Sequence, residues 1–191
     1  MTDKKFNPKK IDKLNNPERL KIQNPDLIWS ALELAKVEIM VDIGAGTGFF
    51  AMPFADKAKQ ANLYACDTSD VMIDWMLENL PESYTGRIIP LKSTENSIPL
   101  ENGVADLVYM INLHHELDDP DIMLNETTRL LKPGGKVLVI DWKDVETPGG
   151  PPQDIRIAVE TIVNQFEKTG LSNVQSKDIL QHHCYVVGEK I

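Results

Sequence analysis

The chain has 191 residues, enough for one domain of ordinary size with a core of its own. Its 42% hydrophobic and 26% charged residues are those of a soluble globular protein, and Asp42 and Asp106 interrupt the two best candidates for a membrane span. A formal net charge of −9 argues against nucleic acid, whose enzymes carry a basic face to neutralise phosphates, and favours small molecules as partners.

The amino terminus, MTDKKFNPKK, has no apolar stretch resembling a signal peptide, and its lysines suit a solvated arm. Residues 1–24 are expected to form this N-terminal arm or lid, and residues 25–191 the main domain. Within the arm, a short helix opens with Pro17 in its first turn after Asn16 as cap. Pro25 starts the helix DLIWSALELA, whose Leu27, Ile28, Ala31, Leu34 and Ala35 share one face. VEIMVDIG, an apolar run ending at glycine, is a buried strand. GFFAMPFADKAK is a helix that tolerates Pro53 because it falls in the first turn or so. ANLYACD is a strand, SDVMIDWMLENL an amphipathic helix stopped by Pro81, and RIIPLK and ADLVYMINL are strands. Asp119 and Pro120 cap and open DIMLNETTRLL, which Pro133-Gly134-Gly135 ends. KVLVIDW is a strand, RIAVETIVNQFEKTG a helix, and the tail holds two strands around NVQSKDIL and HHCYVVGEK.

Strands alternating with helices of ten or more residues predict a doubly wound, Rossmann-like α/β fold with helices on both faces. The sheet is mostly parallel and seven-stranded. Its two tail strands are joined too closely for a helical crossover and pair antiparallel. Cys66 and Cys184 lie in apolar surroundings without metal-type spacing, so two buried free thiols in a reducing cytoplasm are expected.

In such sheets ligands lie beyond the carboxyl ends of the strands, where strand order reverses. The loop holding Gly44, Gly46 and Gly48 follows the first sheet strand, and glycines let backbone N–H groups approach a ligand closely. A dinucleotide fingerprint needs its third glycine where Phe49 stands, and a phosphate-binding P-loop needs a lysine that is absent. Asp42 would repel a pyrophosphate but suits an amine. Asp67, at the end of the second strand, stands where an acid accepts bonds from two ribose hydroxyls. An amino-acid end and a ribose together describe S-adenosylmethionine.

The series VDIGAGTG, Asp67, SIPLENGVADLVYM, LHHELDDP and RLLKPGGKVLVIDW resembles the class I S-adenosylmethionine-dependent methyltransferases, in the branch of the ubiquinone and menaquinone biosynthesis enzymes. The resemblance implies a methyltransferase acting on a small-molecule acceptor. It assigns Asp42 and the loop Gly44, Ala45, Gly46, Thr47 and Gly48 to the methionine end, and Asp67 to the ribose. Thr68 and Met72 would line the adenine side, and Asn112 after the fourth strand joins the cofactor set. Relatives place an aspartate after the third strand to meet the adenine amino group; here Ser93, Thr94 and Glu95 share that position.

His114, His115 and Glu116 follow the fourth strand, beside the expected methyl group. One histidine is a candidate general base or orienting group, His115 before His114, with Glu116 as base or as the group that orients the ring. The alternative is a segment that contributes backbone carbonyls alone. Consecutive residues lack the spacing of a zinc site, and alternation sends His182, His183 and Cys184 to different faces of a strand, so no metal is expected. A non-catalytic S-adenosylmethionine-binding protein or partner subunit stands as the second reading. The loop DVETPGGPPQD is expected to be flexible until Pro151-Pro152 stiffens it.

Overall fold

The structure, a computed structural model, describes residues 11–191; expectations placed on residues 1–10 lie outside it. Seven strands are present: β1 (Ile39–Ile43), β2 (Asn62–Asp67), β3 (Ile88–Lys92), β4 (Ala105–Ile111), β5 (Leu131–Trp142), β6 (Ser172–Ser176) and β7 (His183–Glu189). They form one sheet in the order β3-β2-β1-β4-β5-β7-β6. β7 alone is reversed relative to the other six strands and pairs antiparallel with both β5 and β6, as the short connection between the tail strands requires.

Two short helices, α1 (Ile11–Leu14) and α2 (Arg19–Ile22), precede α3 (Pro25–Leu32), α4 (Ala51–Lys57), α5 (Asp70–Asn79), α6 (Pro120–Leu130) and α7 (Val159–Lys168). Alternation along the strands sorts the core into two layers. Met40, Leu63, Leu107, Tyr109, Leu138 and Ile140 pack with Ile28, Phe54 and Met76 of α3, α4 and α5. Val41, Val108, Met110, Val137 and Val139 pack with Leu124, Leu130, Ile162 and Phe166 of α6 and α7.

Local chemistry sets the helix ends. Asn24 caps α3 by accepting from the N–H groups of Asp26 and Leu27 at 2.9 and 3.3 Å. That helix stops at Leu32, short of the expected Ala35, because Glu33 turns left-handed at φ 52°. Lys177 and Lys136 reach across from the sheet region to the carbonyls of Ala31 and Leu32, as cations favour a helix carboxyl end. The buried stripe is therefore Ile28 and Leu32, and Leu27, expected on that face, is exposed.

Asp119 caps α6 by accepting from the Ile122 N–H at 3.1 Å. This helix ends at Leu130 without the help of Pro133-Gly134-Gly135. Leu131 already pairs with Ala105, so β5 begins five residues before the expected Lys136 and runs through the Pro-Gly-Gly segment, with a bulge opposite Ala105/Leu107. The last helix starts at Val159 instead of Arg156. Both cysteines are buried free thiols. No described helix is long and apolar enough to cross a membrane.

Candidate active site

Strand order reverses between β1 and β4, and the carboxyl ends of these two strands open the main cavity, of about 980 Å³. The glycine loop at the end of β1 is fastened to the end of β2. The N–H groups of Gly44 and Ala45 both donate to the Cys66 carbonyl at 2.9 Å, and Gly46 N–H donates to Asp67 Oδ2 at 2.9 Å. Gly48 N–H closes back on the Ala45 carbonyl. This departs from the expectation that the loop offers its N–H groups to a ligand, because four of them are engaged within the protein. The glycines serve the shape of the turn instead: at Gly44, φ is +71° and a Cβ would stand 2.7 Å from the Leu113 side chain.

Asp67 is held from both sides, its Oδ1 accepting from Ser69 N–H at 2.8 Å. Burial pushes its pKa up, and the backbone donors Ser69 and Gly46 offset part of that rise. Asp42 projects on the α3–α5 face of the sheet beside Tyr109, its partner in the β1–β4 register, and is 3% exposed. Burial raises its pKa well above the ordinary carboxylate value, with the charge of Asp67 adding to the rise, while Tyr109 and Arg19 oppose it. Asp42 has no cation in salt-bridge contact among the described residues.

Asp42, Gly44, Ala45, Gly46, Thr47, Asp67, Thr68 and Met72 all line the cavity. Ser93, Thr94 and Glu95 line it from the end of β3, and Asn112, His115 and Glu116 from the end of β4. Two of the sequence-derived residues do not line it. Gly48 faces Leu80 and Met76, and His114 is fully buried with Nε2 2.9 Å from Gln165 Oε1. The N-terminal segment is tied to the same wall, with Thr47 Oγ1 bonded to Asn15 Oδ1 at 2.7 Å. Gln23 and Asn112 exchange amide hydrogen bonds of 3.0 and 3.2 Å.

His115 sits in a 3-10 turn, His114–Glu116, against the end of β5. Its Nδ1 lies 2.8 Å from Asp141 Oδ1, and its backbone N–H donates to Asp141 Oδ2 at 2.9 Å. Glu116 stands on the opposite edge of the ring, 3.7 Å from Nε2. The side chain that grips Nδ1 is thus Asp141, which the sequence reading did not single out. Its signal was available: like Asp42 and Asp67, it is an acid at the carboxyl end of an apolar strand. Burial lowers the proton affinity of His115, but the bond to Asp141 and the charges of Asp141 and Glu116 outweigh it and leave the pKa raised.

The far wall is built by the segment after β5. Arg156 spends all five of its N–H donors on backbone carbonyls of Lys143, Val145, Gly149 and Pro151, the last accepting twice. Its guanidinium also lies 5.5 Å from the Trp142 ring. Gly150 packs so closely on that indole that a Cβ would stand 2.6 Å from it. The loop expected to be flexible is therefore stapled from within, and it presents Gly150, Pro151, Pro152 and Ile155 to the cavity. Among the described residues no group of three or more His, Cys, Asp or Glu side chains is placed to hold a metal ion.

A Rossmann-like sheet with an acid at the end of each of β1, β2 and β5 and one cavity over the switch point defines the class. The chain belongs to the methyltransferase-domain family, whose model matches residues 41–139. It is 28% identical over 134 residues to a ubiquinone/menaquinone biosynthesis C-methyltransferase of Bordetella avium, a match covering 66% of this chain and 52% of that protein. It is 32% identical over 102 residues to a demethylmenaquinone methyltransferase of Chlamydia pneumoniae, covering 53% of this chain and 43% of that one. The chain spans about half the length of the curated relatives it matches. The crystal structure of a SAM dependent methyltransferase from Aquifex aeolicus matches it with a TM-score of 0.90 and 29% identity, over 98% of this chain and 100% of that one.

The raised pKa of Asp42 has a direct consequence for stability. Holding its carboxylate charged in the core costs free energy above the unfolded pKa, so Asp42→Asn raises the thermal midpoint of the ligand-free protein at neutral pH. The gain shrinks as pH falls toward the ordinary carboxylate value, where both forms are neutral. Thermal denaturation from about pH 4, near the free carboxyl pKa, up to neutral pH measures this; a variant less stable at every pH contradicts it.

Proposed function

We propose that this chain is an S-adenosylmethionine-dependent methyltransferase acting on a small-molecule acceptor. The observation that carries the reading is the alignment of Asp42, Asp67 and His115 along one cavity that spans the switch point. The residues suit the cofactor. Asp42 is a buried carboxyl awaiting a cation, as an ammonium group is. Each oxygen of Asp67 accepts one backbone N–H and keeps a lone pair for a ribose hydroxyl. Thr68, Met72, Ser93, Thr94 and Glu95 then receive the adenine. A volume of about 980 Å³ lies at the upper end for small-molecule sites and leaves room for an acceptor beside the cofactor.

Bound there, S-adenosylmethionine supplies an electrophilic methyl group on a sulfonium. The chain's own contribution is alignment, exclusion of water and management of one proton. Leu113, Leu117, Met123, Trp142, Pro151 and Ile155 give the acceptor end apolar walls. Asp141 accepts Nδ1–H of His115 and so fixes the tautomer in which Nε2 is free to take the acceptor's proton. His114, committed to Gln165, has no part in this step. A small apolar acceptor with an ionisable proton matches these walls, and quinone-type compounds are the ones to test first, given the names carried by the Bordetella and Chlamydia proteins.

Calorimetry with S-adenosylhomocysteine and NAD tests the cofactor reading: we expect binding of the first and none of the second, and the reverse result overturns it. Asp67→Ala should weaken S-adenosylhomocysteine binding by about 1–3 kcal/mol, the scale of hydrogen bonds to a charged group, in a variant that still folds.

The base is tested separately. His115→Ala should leave cofactor affinity intact and lower turnover ~10²-fold or more. The ring must be neutral to accept a proton, so kcat/KM rises with pH through a pKa above the ordinary 6.5. Asp141→Asn removes the charge that raises this pKa, so the acid limb moves to lower pH while the rate falls. A profile whose acid limb stays in place in Asp141→Asn excludes the pair.

A further inference from the structure

The engaged glycine loop leaves a zwitterionic ligand with an unmet half. Asp42 answers an ammonium, but the N–H groups of Gly44, Ala45, Gly46 and Gly48 are already bonded within the protein. Thr47 N–H is the remaining loop donor, one N–H for a group with two oxygens. Helix α4 starts only at Ala51 and spans seven residues.

We infer that Arg19 is the carboxylate-binding residue of this site, taking the α-carboxylate of a ligand whose ammonium Asp42 holds. The inference rests on the cofactor reading above. Arg19 lines the cavity together with Asp42. Its guanidinium stands 5.0 Å from the centroids of both the Phe49 and Phe50 rings, which hold it at the wall. Only Nη1 has a hydrogen-bond partner among the described residues, the Leu14 carbonyl, and no carboxylate pairs with the group.

Arg156 and Arg129 show the contrast. Arg156 uses every donor on carbonyls, and Arg129 is bonded to Glu126 through Nε and Nη2. The other Lys or Arg on the cavity wall among the described residues, Lys13, is exposed. Burial lowers the pKa of Arg19 to about 10, with the charge of Asp42 opposing the fall, so the group stays cationic at neutral pH and feels Asp42 without touching it. A planar fork of donors suits a carboxylate better than a point charge does. Arg19 opens α2, and the segment's other ties, Asn15 to Thr47 and Gln23 to Asn112, reach the same loop and the end of β4. The carboxylate adds a third tie, so the ligand and the N-terminal segment hold each other.

The test is calorimetry with two ligands, S-adenosylhomocysteine and its decarboxylated analogue S-adenosylthiopropylamine, which keeps the amine. Wild type should bind the analogue at least about 10-fold more weakly, and Arg19→Met should lose about 30-fold or more in affinity for S-adenosylhomocysteine, the range for charge-assisted bonds. The same variant should bind the analogue as wild type does, and Arg19→Lys should recover part of the loss. Equal binding of the two ligands by wild type, or an equal loss for both in Arg19→Met, overturns the assignment of Arg19 alone. Wild type that binds neither ligand overturns the cofactor reading and this assignment with it. The wild-type comparison stands even where a variant fails to fold.

Discussion

Three hydrogen bonds fasten the glycine loop to the end of β2: two from Gly44 and Ala45 to the Cys66 carbonyl, one from Gly46 to Asp67. Much of the site depends on this seam. It demands left-handed backbone at Gly44, Gly46 and Gly48, which side chains rarely adopt. It fixes the Asp67 carboxylate from the loop side while Ser69 fixes it from the other, so the acid is aimed before any ligand arrives. It also consumes the amides that would otherwise meet an anion. Side chains must supply the charge complement, and Asp42 from β1 and Arg19 from α2 both line the cavity.

The structure treats its two deepest carboxylates differently. Asp141 accepts from the His115 ring, the His115 N–H and the Trp142 N–H, so its charge is met on every side. Asp42, at 3% exposure, has Tyr109 beside it and no cation in contact among the described residues. A buried charge without a partner is costly, whereas one inside a hydrogen-bonded network is tolerated. The cost therefore falls at Asp42, the acid that a ligand's ammonium would relieve. Asp141 instead spends its network on holding one ring still.

The fold was legible in the sequence because its signals are local. Apolar strands ending in an acid or glycine, Pro-opened helices and the short final connection give seven strands and the one reversed strand without reference to anything distant. Long-range pairing escaped. Leu131 enters β5 because Ala105 lies across from it, which overrides the Pro-Gly-Gly segment as a stop signal. The exposed Leu27 follows from Glu33 ending α3 early, a backbone choice no periodicity predicts. Most candidate site residues converge on the cavity because strand ends define it. Which of two adjacent histidines faces inward depends on a single 3-10 turn, and Gln165 and Asp141, far apart in the chain, decide it. Arg19 stayed hidden in a lysine-rich arm whose charge reads as solvated until Phe49 and Phe50 are seen beside it.

Charge is sorted along the cavity, and the sorting follows from which arginine is saturated. Among the described residues the two Lys or Arg side chains that line it, Lys13 and Arg19, belong to the N-terminal segment. At the wall built after β5, Arg156 carries the same charge but has turned every donor toward its own loop, and the indole of Trp142 covers it. Beneath the indole lies the His183 ring, 4.2 Å away, whose pKa burial depresses to about 3, so it adds no charge at neutral pH. That end is therefore apolar at its surface despite the basic groups behind it. A ligand with a charged tail is drawn to the loop side and an uncharged, apolar molecule to the Trp142 side. His115, with Asp141 behind and Glu116 at its edge, stands beside these apolar walls. On the function proposed above, a proton released there is within reach of His115, the base of that proposal.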